Sequence, residues 1–175
     1  MTQNRRSFGQ FAFASILTLT TKSAIAQVSS SLKTPEQSEF IFFVNETDRS
    51  AAQKKAEFLL SQLDTPPSVA SQRIEAIYAQ GAAALKTRYS GSAFNQRIST
   101  ERGALGLVRE RVFQGIDGGF KKLPNIPAGE YLIVVFATIF QNSSDIYTEQ
   151  ITLARNDTSW QFVEYFIAKK PYYSY

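Results

Sequence analysis

Two acidic residues, Glu149 and Glu164, fall in neighbouring segments that the sequence predicts to be β-strands. A pair of carboxylates in a cavity can exchange protons as general acid and base, or can bind a cation. Strand direction can equally place either side chain in water, and an ion pair with Arg109, Arg111 or Arg155 would make its role structural. The structural interpretation is favoured, because charges at sheet edges commonly form cross-strand pairs.

A third acid, Glu130, follows Gly129 in a turn and begins a predicted strand. A side chain at such a place can belong to a site, but its more common use is a hydrogen bond that fixes the turn or the strand start. We expect that structural role here.

The chain contains no cysteine and no histidine. Without thiols there is no disulfide, no thiol nucleophile, no iron–sulfur cluster and no lipidated cysteine anchor. Without imidazoles the chain lacks the common ligands of zinc, copper and haem, and the usual general base of a Ser-His-Asp site. We therefore name no catalytic residue and expect no metal site and no cofactor, which favours a non-enzymatic role and leaves an enzyme open.

Aromatic residues are concentrated in the last two predicted strands and in the segment after them. Such rings can line a ligand pocket or a protein interface, although most rings on a half-buried sheet belong to its core. The segment beyond the last strand either folds back over the sheet or binds a partner. The rings are Tyr147, Trp160, Phe162, Tyr165 and Phe166 in the strands, and Tyr172, Tyr173 and Tyr175 beyond them. Candidate binding residues are Glu149, Glu164, Trp160, Tyr165, Tyr172 and Tyr173.

Helical periodicity precedes these strands. Residues 34–37 have the pattern of a capped helix start, and the apolar run 40–44 fits either a buried helix turn or a short strand. The spacing of apolar residues predicts a helix over 48–63, ended by Thr65-Pro66-Pro67. A second helix, capped by Ser68, has a stripe of Ile74, Ile77, Tyr78 and Leu85. A third, after Ser90-Gly91-Ser92, has Phe94, Ile98, Leu105 and Val108, with Gly103 and Gly106 in its middle or at its end.

The pattern then changes to strands. A first strand starts at Val112-Phe113 and is interrupted by the glycines of residues 115–119. Strands follow over 131–140, 147–153 and 160–168, and the last two are joined by a turn at 155–159. Helices followed by antiparallel strands predict an α+β fold, with N-terminal helices packed on one face of a curled antiparallel sheet of about four strands.

The N-terminal segment has the three parts of a cleavable secretory signal: a charged start, an apolar middle and small residues at a spacing of two. The apolar run over residues 11–19 is too short for a stable membrane-spanning helix, which needs about 20 residues. We expect cleavage after Ala26, with Ala24 and Ala26 as the small residues. An uncleaved, membrane-tethered form is the less favoured alternative.

Adjacent Arg5 and Arg6, with Phe8 two positions later, are typical of signals for the twin-arginine pathway. Lys22 fits the same pathway, because a charge near the cut discourages the general secretory route. The alternative is that the arginines supply the positive end of an ordinary signal. We expect export by the twin-arginine translocase to the periplasm, or secretion.

The charge balance and the length of the chain bear on its partners and its domain organisation. Three of the 19 basic residues lie in residues 1–26, so the remainder carries 16 basic and 15 acidic residues. That near-neutral balance argues against nucleic-acid binding. We divide the chain into a signal peptide (1–26), a linker and N-terminal extension (27–47) and one α+β domain (48–175).

The second half of the chain carries Arg102, Leu105-Gly106, Arg109 or Arg111, Leu123-Pro124 with Pro127, Gly129-Glu130-Tyr131, Phe140, Glu149, and Trp160 with Tyr165-Phe166-Ile167. In these residues the chain resembles a family of small exported bacterial proteins, domain of unknown function four thousand and nineteen, over roughly residues 50–168. The resemblance implies the fold and the export but no activity. The architecture is also similar to the cystatin-like and nuclear-transport-factor-like ones, which host enzymes and binding modules alike.

These observations favour a non-enzymatic periplasmic accessory domain that binds a protein partner or the envelope. The alternative is a small-ligand binder or a carboxylate-dependent enzyme, with a pocket between helices and sheet that holds Glu149 or Glu164.

Overall fold

The computed structural model describes residues 42–157 and 159–169. Within these residues four helices precede four strands. The helices are α1 (Glu46–Leu63), α2 (Pro67–Ala79), α3 (Ala83–Arg88) and α4 (Gly91–Gly103); the strands are β1 (Val108–Phe120), β2 (Tyr131–Phe140), β3 (Ile146–Asn156) and β4 (Ser159–Ala168). The strands form an open antiparallel sheet in the order β1-β2-β3-β4. The predicted α+β fold is confirmed, whereas the likeness to cystatin-like and nuclear-transport-factor-like architectures stays a prediction.

Several predictions concern residues outside the described ranges. They are the signal peptide, the linker, the helix start at residues 34–37 and the aromatic segment with Tyr172 and Tyr173. Of the apolar run 40–44, the structure describes Phe42 to Val44, which form neither helix nor strand. Val44 is nonetheless buried in the core.

Helix α1 begins at Glu46, slightly before the predicted start. The side chain of Asn45 accepts a hydrogen bond from the backbone N–H of Asp48 at 2.8 Å, which satisfies an otherwise unpaired donor of the first turn. The buried face of the helix consists of Ala52, Ala56, Leu59, Leu60 and Leu63.

The predicted second helix is in fact two. Helix α2 ends at Ala79, and Leu85 belongs to α3. The backbone N–H of Ala82 donates to the carbonyl of Phe162 in β4 at 2.8 Å, so a contact with the sheet replaces the next helical bond. Ser68 is not the cap of α2 either, because Pro66 holds that position and Pro67 begins the helix.

Helix α4 is shorter and β1 longer than predicted. Helix α4 ends at Gly103, and Gly106, with φ +75, has a left-handed backbone that cannot continue it, so neither Leu105 nor Val108 is helical. Strand β1 continues through the glycine-rich segment 115–119, where irregular register at two places absorbs the extra residues.

Helices α1, α2 and α4 cover one face of the sheet. On that face Leu132, Val134 and Phe136 of β2 pack beside Ile151 and Leu153 of β3, and together with the helices they form the main core. Ala84 of α3 packs with Tyr131 and Val163 in a second, smaller cluster on the other face. Along the parts of the chain described here, no helix combines the length and apolarity required to cross a bilayer.

Candidate functional site: a buried charge cluster beside a groove

Glu149 lies in the middle of β3, faces the helices and is fully buried. Its Oε1 accepts from Nη1 of Arg102 at 3.1 Å and from the hydroxyl of Tyr165 at 2.6 Å. Its Oε2 accepts from Nε of Arg111 at 2.8 Å and from the hydroxyl of Thr138 at 2.5 Å. A carboxylate offers about four lone-pair positions, so these four donors occupy it fully.

Arg102 reaches this carboxylate from the last turn of α4, and its side chain is 8% exposed. The guanidinium lies over the rings of Phe140 and Tyr165, with its centre 5.3 Å and 5.7 Å from the two ring centroids. Flat aromatic faces attract a cation and pack well against a planar guanidinium. Arg102 is therefore held by both packing and charge.

Asp64 is the second carboxylate of the cluster and caps the end of α1. It accepts from Nη2 of Arg102 at 2.5 Å, and from Nη1 and Nη2 of Arg111 at 2.6 Å and 2.9 Å. Its side chain is 23% exposed, so it is the member that reaches towards solvent. Two arginines and two carboxylates balance in charge. We call Asp64, Arg102, Arg111, Thr138, Glu149 and Tyr165 the charge cluster.

The surroundings fix the protonation of two members of the cluster. Burial raises the pKa of the Tyr165 hydroxyl well above its usual value, and the negative charge of Glu149 raises it further, so Tyr165 remains a donor. Burial opposes the charged form of Arg111, but its hydrogen bonds to Asp64 and the nearby charge of Glu149 outweigh this and raise its pKa. Arg111 therefore stays charged at neutral pH.

The geometry gives Glu149 a structural role. Its oxygens are occupied and no solvent reaches it, so a substrate has no path to the carboxylate. The ion pair with Arg111 is one of the pairings that the sequence offered as the structural alternative. Neither Asp64 nor Thr138 was singled out from the sequence, because their partners lie far away along the chain.

Glu164 does not join Glu149. It pairs with Thr152 in register, on the sheet face opposite to the one that carries Glu149. Its carboxylate binds Nη1 of Arg88 at 2.6 Å and Nη1 of Arg97 at 3.3 Å. Arg97 also donates to the backbone carbonyl of Tyr165 at 2.9 Å and so covers the outer edge of β4.

The other candidate residues have separate places. Trp160 is 6% exposed in the main core, and Arg155 lies over its ring at 5.6 Å. Tyr165 belongs to the charge cluster. Glu130 bonds Nζ of Lys121 at 2.5 Å, and its backbone carbonyl accepts from the N–H of Arg155 at 2.8 Å, as expected of a strand start.

A groove of about 440 Å³ opens beside the charge cluster. Asp64 and Arg102 are the charged side chains among its described lining residues. Its buried walls are aliphatic, and most of its exposed lining is hydroxyl or amide. The lining consists of Leu63, Asp64, Thr65, Ala70, Ser71, Ile74, Ile98, Ser99, Arg102, Gly103, Gly106, Leu107, Gln141 and Asn142.

This groove differs from the predicted pocket, because neither Glu149 nor Glu164 is among the lining residues. Glu149 lies one side chain further in, behind Arg102. Within the described ranges no three acidic residues come together as metal ligands. What the groove offers is a concave surface with hydrogen-bonding groups, of a size common among ligand sites.

A family model described as Protein of unknown function (DUF4019) matches residues 66–165. The matched residues include Arg102, Arg111, Thr138, Glu149 and Tyr165 of the charge cluster, while Asp64 precedes them. No curated protein and no solved structure matches the chain. Because the family match spans more than half of the sequence, the chain belongs to the family of proteins of unknown function DUF4019, as its sequence resemblance predicted.

Proposed function

We propose that the protein is a non-enzymatic binding domain of the bacterial periplasm, and that it binds a small molecule in the groove beside the charge cluster. The observation that carries this proposal is the combination of an open groove with carboxylates that are already engaged. A site with this arrangement can hold a ligand but offers no free acid or base to transform it.

The same contacts argue against the carboxylate-dependent enzyme. Glu149 is enclosed by four donors, and Glu164 is bound by two arginines on the other face of the sheet. Asp64 faces the groove but shares its charge with Arg102 and Arg111. A general base must reach its substrate proton within hydrogen-bond distance, and neither Glu149 nor Glu164 lines the groove. Asp64 does line it, but arginines occupy three of its roughly four lone-pair positions, which leaves room for one hydrogen bond from a ligand.

A small molecule is favoured over a protein partner by the shape of the site. The groove is concave and its volume of about 440 Å³ lies within the range of roughly 300–1,000 Å³ that is usual for small-molecule sites. The hypothesis of a protein or envelope partner drew on the export signal, the absence of catalytic residue types and the aromatic segment with Tyr172 and Tyr173, and that segment lies outside the described residues.

Native mass spectrometry of the protein, recovered from the cells that make it, tests this proposal. We expect an added mass of a few hundred daltons. Ala70→Trp on α2 should fill the groove and remove that mass, whereas Gln72→Trp, an exposed position on the same helix outside the groove, should retain it. A protein that carries no small molecule, or one whose adduct survives Ala70→Trp, would contradict the proposal; a co-purifying protein in its place would favour an interaction domain.

The periplasmic location is supported by the leader and has its own test. Replacement of Arg5 and Arg6 by lysines keeps the positive charge but removes the paired guanidinium groups that the twin-arginine pathway requires. We expect the protein to accumulate uncleaved in the cytoplasm, while Lys22→Gln should still be exported. N-terminal sequencing of the exported product should begin at Gln27. Export that is unaffected by the double replacement would indicate an ordinary signal.

A further inference from the structure

We propose that the ligand of the groove is an aliphatic molecule with an uncharged, hydrogen-bonding head, such as an amide or a hydroxyl. This inference rests on the proposed function and specifies the ligand class. It follows from three properties of the lining: its walls, its charge and its polar groups.

The walls select an aliphatic body. Leu63, Ile74 and Ile98 are buried lining residues, and Leu107 adds a partly exposed aliphatic side chain. The described lining contains no aromatic ring. Sugars and nucleobases are usually held by stacking on aromatic side chains, so these walls suit neither. A flexible hydrocarbon chain, by contrast, gains from burial against leucine and isoleucine.

The charge of the lining selects an uncharged head. Arg102 and Asp64 form an ion pair at 2.5 Å, and the other two charges of the cluster, on Arg111 and Glu149, also cancel. A ligand with a formal charge would lose hydration on entering and find no unbalanced partner in return. An anion would in addition meet Asp64, and a cation would meet Arg102.

The polar groups supply partners for such a head. Asp64 accepts three hydrogen bonds within the cluster, which leaves about one lone-pair position for a donor from a ligand. Ser71, Ser99 and Asn142 add hydroxyl and amide groups at exposed positions of the lining. The side chain of each makes one hydrogen bond within the fold, to Asn95 or to a backbone carbonyl, and keeps a further donor or acceptor position for a ligand. An amide or hydroxyl beside Asp64 would therefore have both acceptors and donors nearby, while its chain follows the aliphatic walls.

Three probes of equal chain length test the head group: octanamide, octanoate and octylammonium. Their affinities for the protein, recovered as the full chain from expressing cells and freed of bound molecules, are measured by isothermal titration calorimetry. We expect octanamide to bind about two- to fivefold more tightly than either charged probe, the range expected for a partly exposed charge. Ala70→Trp should abolish binding of all three probes, and Gln72→Trp should leave it unchanged.

A change of charge in the groove gives a sharper test. Asp64→Asn removes a negative charge and leaves the charge cluster with an excess of positive charge. Ser99→Lys adds a positive charge at an exposed position of α4 and leaves the residues of the charge cluster unchanged. Each variant should shift the preference from octanamide to octanoate. The second variant keeps the test decisive if the first fails to fold.

The outcomes separate the two proposals. Equal affinities for the three probes, tightest binding of a charged probe, or a preference unchanged by Ser99→Lys would overturn the ligand class while the groove remains the binding site. If no probe binds but native mass spectrometry still shows an adduct that Ala70→Trp removes, the ligand class fails and the proposed function stands. If there is no adduct, or if Ala70→Trp leaves binding intact, the proposed function itself fails.

Discussion

Removal of the charge on Glu149 should destabilise the domain more than removal of any other carboxylate charge in the sheet. In Glu149→Gln the buried Arg102 and Arg111, whose side chains are 8% and 14% exposed, keep only Asp64 as a counter-charge. The glutamine amide also presents an N–H₂ group to donors that previously met an oxygen. Breaking a buried ion pair in this way costs about 3–5 kcal/mol, which is a large part of the roughly 5–15 kcal/mol that stabilises a domain.

Urea unfolding followed by fluorescence measures this effect directly, because the chain has one tryptophan, Trp160, which is 6% exposed in the core. The matched control is Glu164→Gln. Glu164 is 21% exposed and its partner Arg88 is 27% exposed, so its loss should cost only about 0.2–1 kcal/mol. A loss of less than about 1 kcal/mol for Glu149→Gln, or one no larger than that of Glu164→Gln, would refute the role assigned to the charge cluster.

A double replacement tests whether charge balance is the cause. Glu149→Leu alone leaves the cluster with an excess positive charge, whereas Glu149→Leu combined with Arg102→Met leaves the balanced pair of Arg111 and Asp64. The double variant should therefore be more stable than the single variant by about 1 kcal/mol or more. A double variant that is less stable than Glu149→Leu would show that lost packing around Arg102, rather than charge, dominates.

Two further predictions concern stability. Tyr165→Phe should cost about 1.5–3 kcal/mol at neutral pH, because it removes a hydrogen bond to a charged acceptor. The pKa of Tyr165 is raised on folding, so its stabilising effect is complete below the ordinary tyrosine pKa of about 10 and is lost as pH rises through the folded pKa. In urea titrations from pH 7 to 11, the difference in free energy of unfolding between the two proteins should therefore shrink only above about pH 10. A difference that stays constant over this range would contradict the prediction. Gly119→Ala should lower the free energy of unfolding by about 1–3 kcal/mol, because φ is +85 there and an added Cβ would meet the carbonyl of Phe42. Gly103→Ala, with open space around it and a helical backbone, should raise that free energy by about 0.4–1 kcal/mol; equal effects of the two replacements in thermal unfolding would be inconsistent with this account.

Local sequence signals predicted much of the fold. The almost wholly apolar, β-branched run 131–140 coincides with β2, and the stop at Pro66-Pro67 correctly separates α1 from α2. The break after Ala79 could not be predicted, because it depends on a hydrogen bond from Ala82 to Phe162 far along the chain. The continuous strand β1 was not predicted either, because its glycines are typical of a turn. In the structure they occupy positions of irregular register within the strand.

The candidate site was predicted only in part. Glu149 was named as a candidate, with Arg111 among its possible partners, since charges in a sheet commonly form cross-strand pairs. Asp64 lies 38 positions before Arg102 and 47 before Arg111, and only the tertiary fold, in which α2 packs against both α1 and α4 and α1 lies on the sheet, brings them together. The groove could not be predicted for the same reason, because its lining combines helix ends and turns that are distant in the sequence and share no sequence pattern.

The most direct measurement for the central claim is a comparison of amide ¹H–¹⁵N spectra of the protein as recovered from its cells and after unfolding and refolding without small molecules. If the groove holds a natural ligand, the differences should be concentrated at lining residues such as Ile98, Ser99, Leu107 and Asn142, with the sheet around Phe166 unchanged. Identical spectra, or differences centred on Phe166 and away from the groove, would contradict the claim that this protein is a small-molecule binding domain.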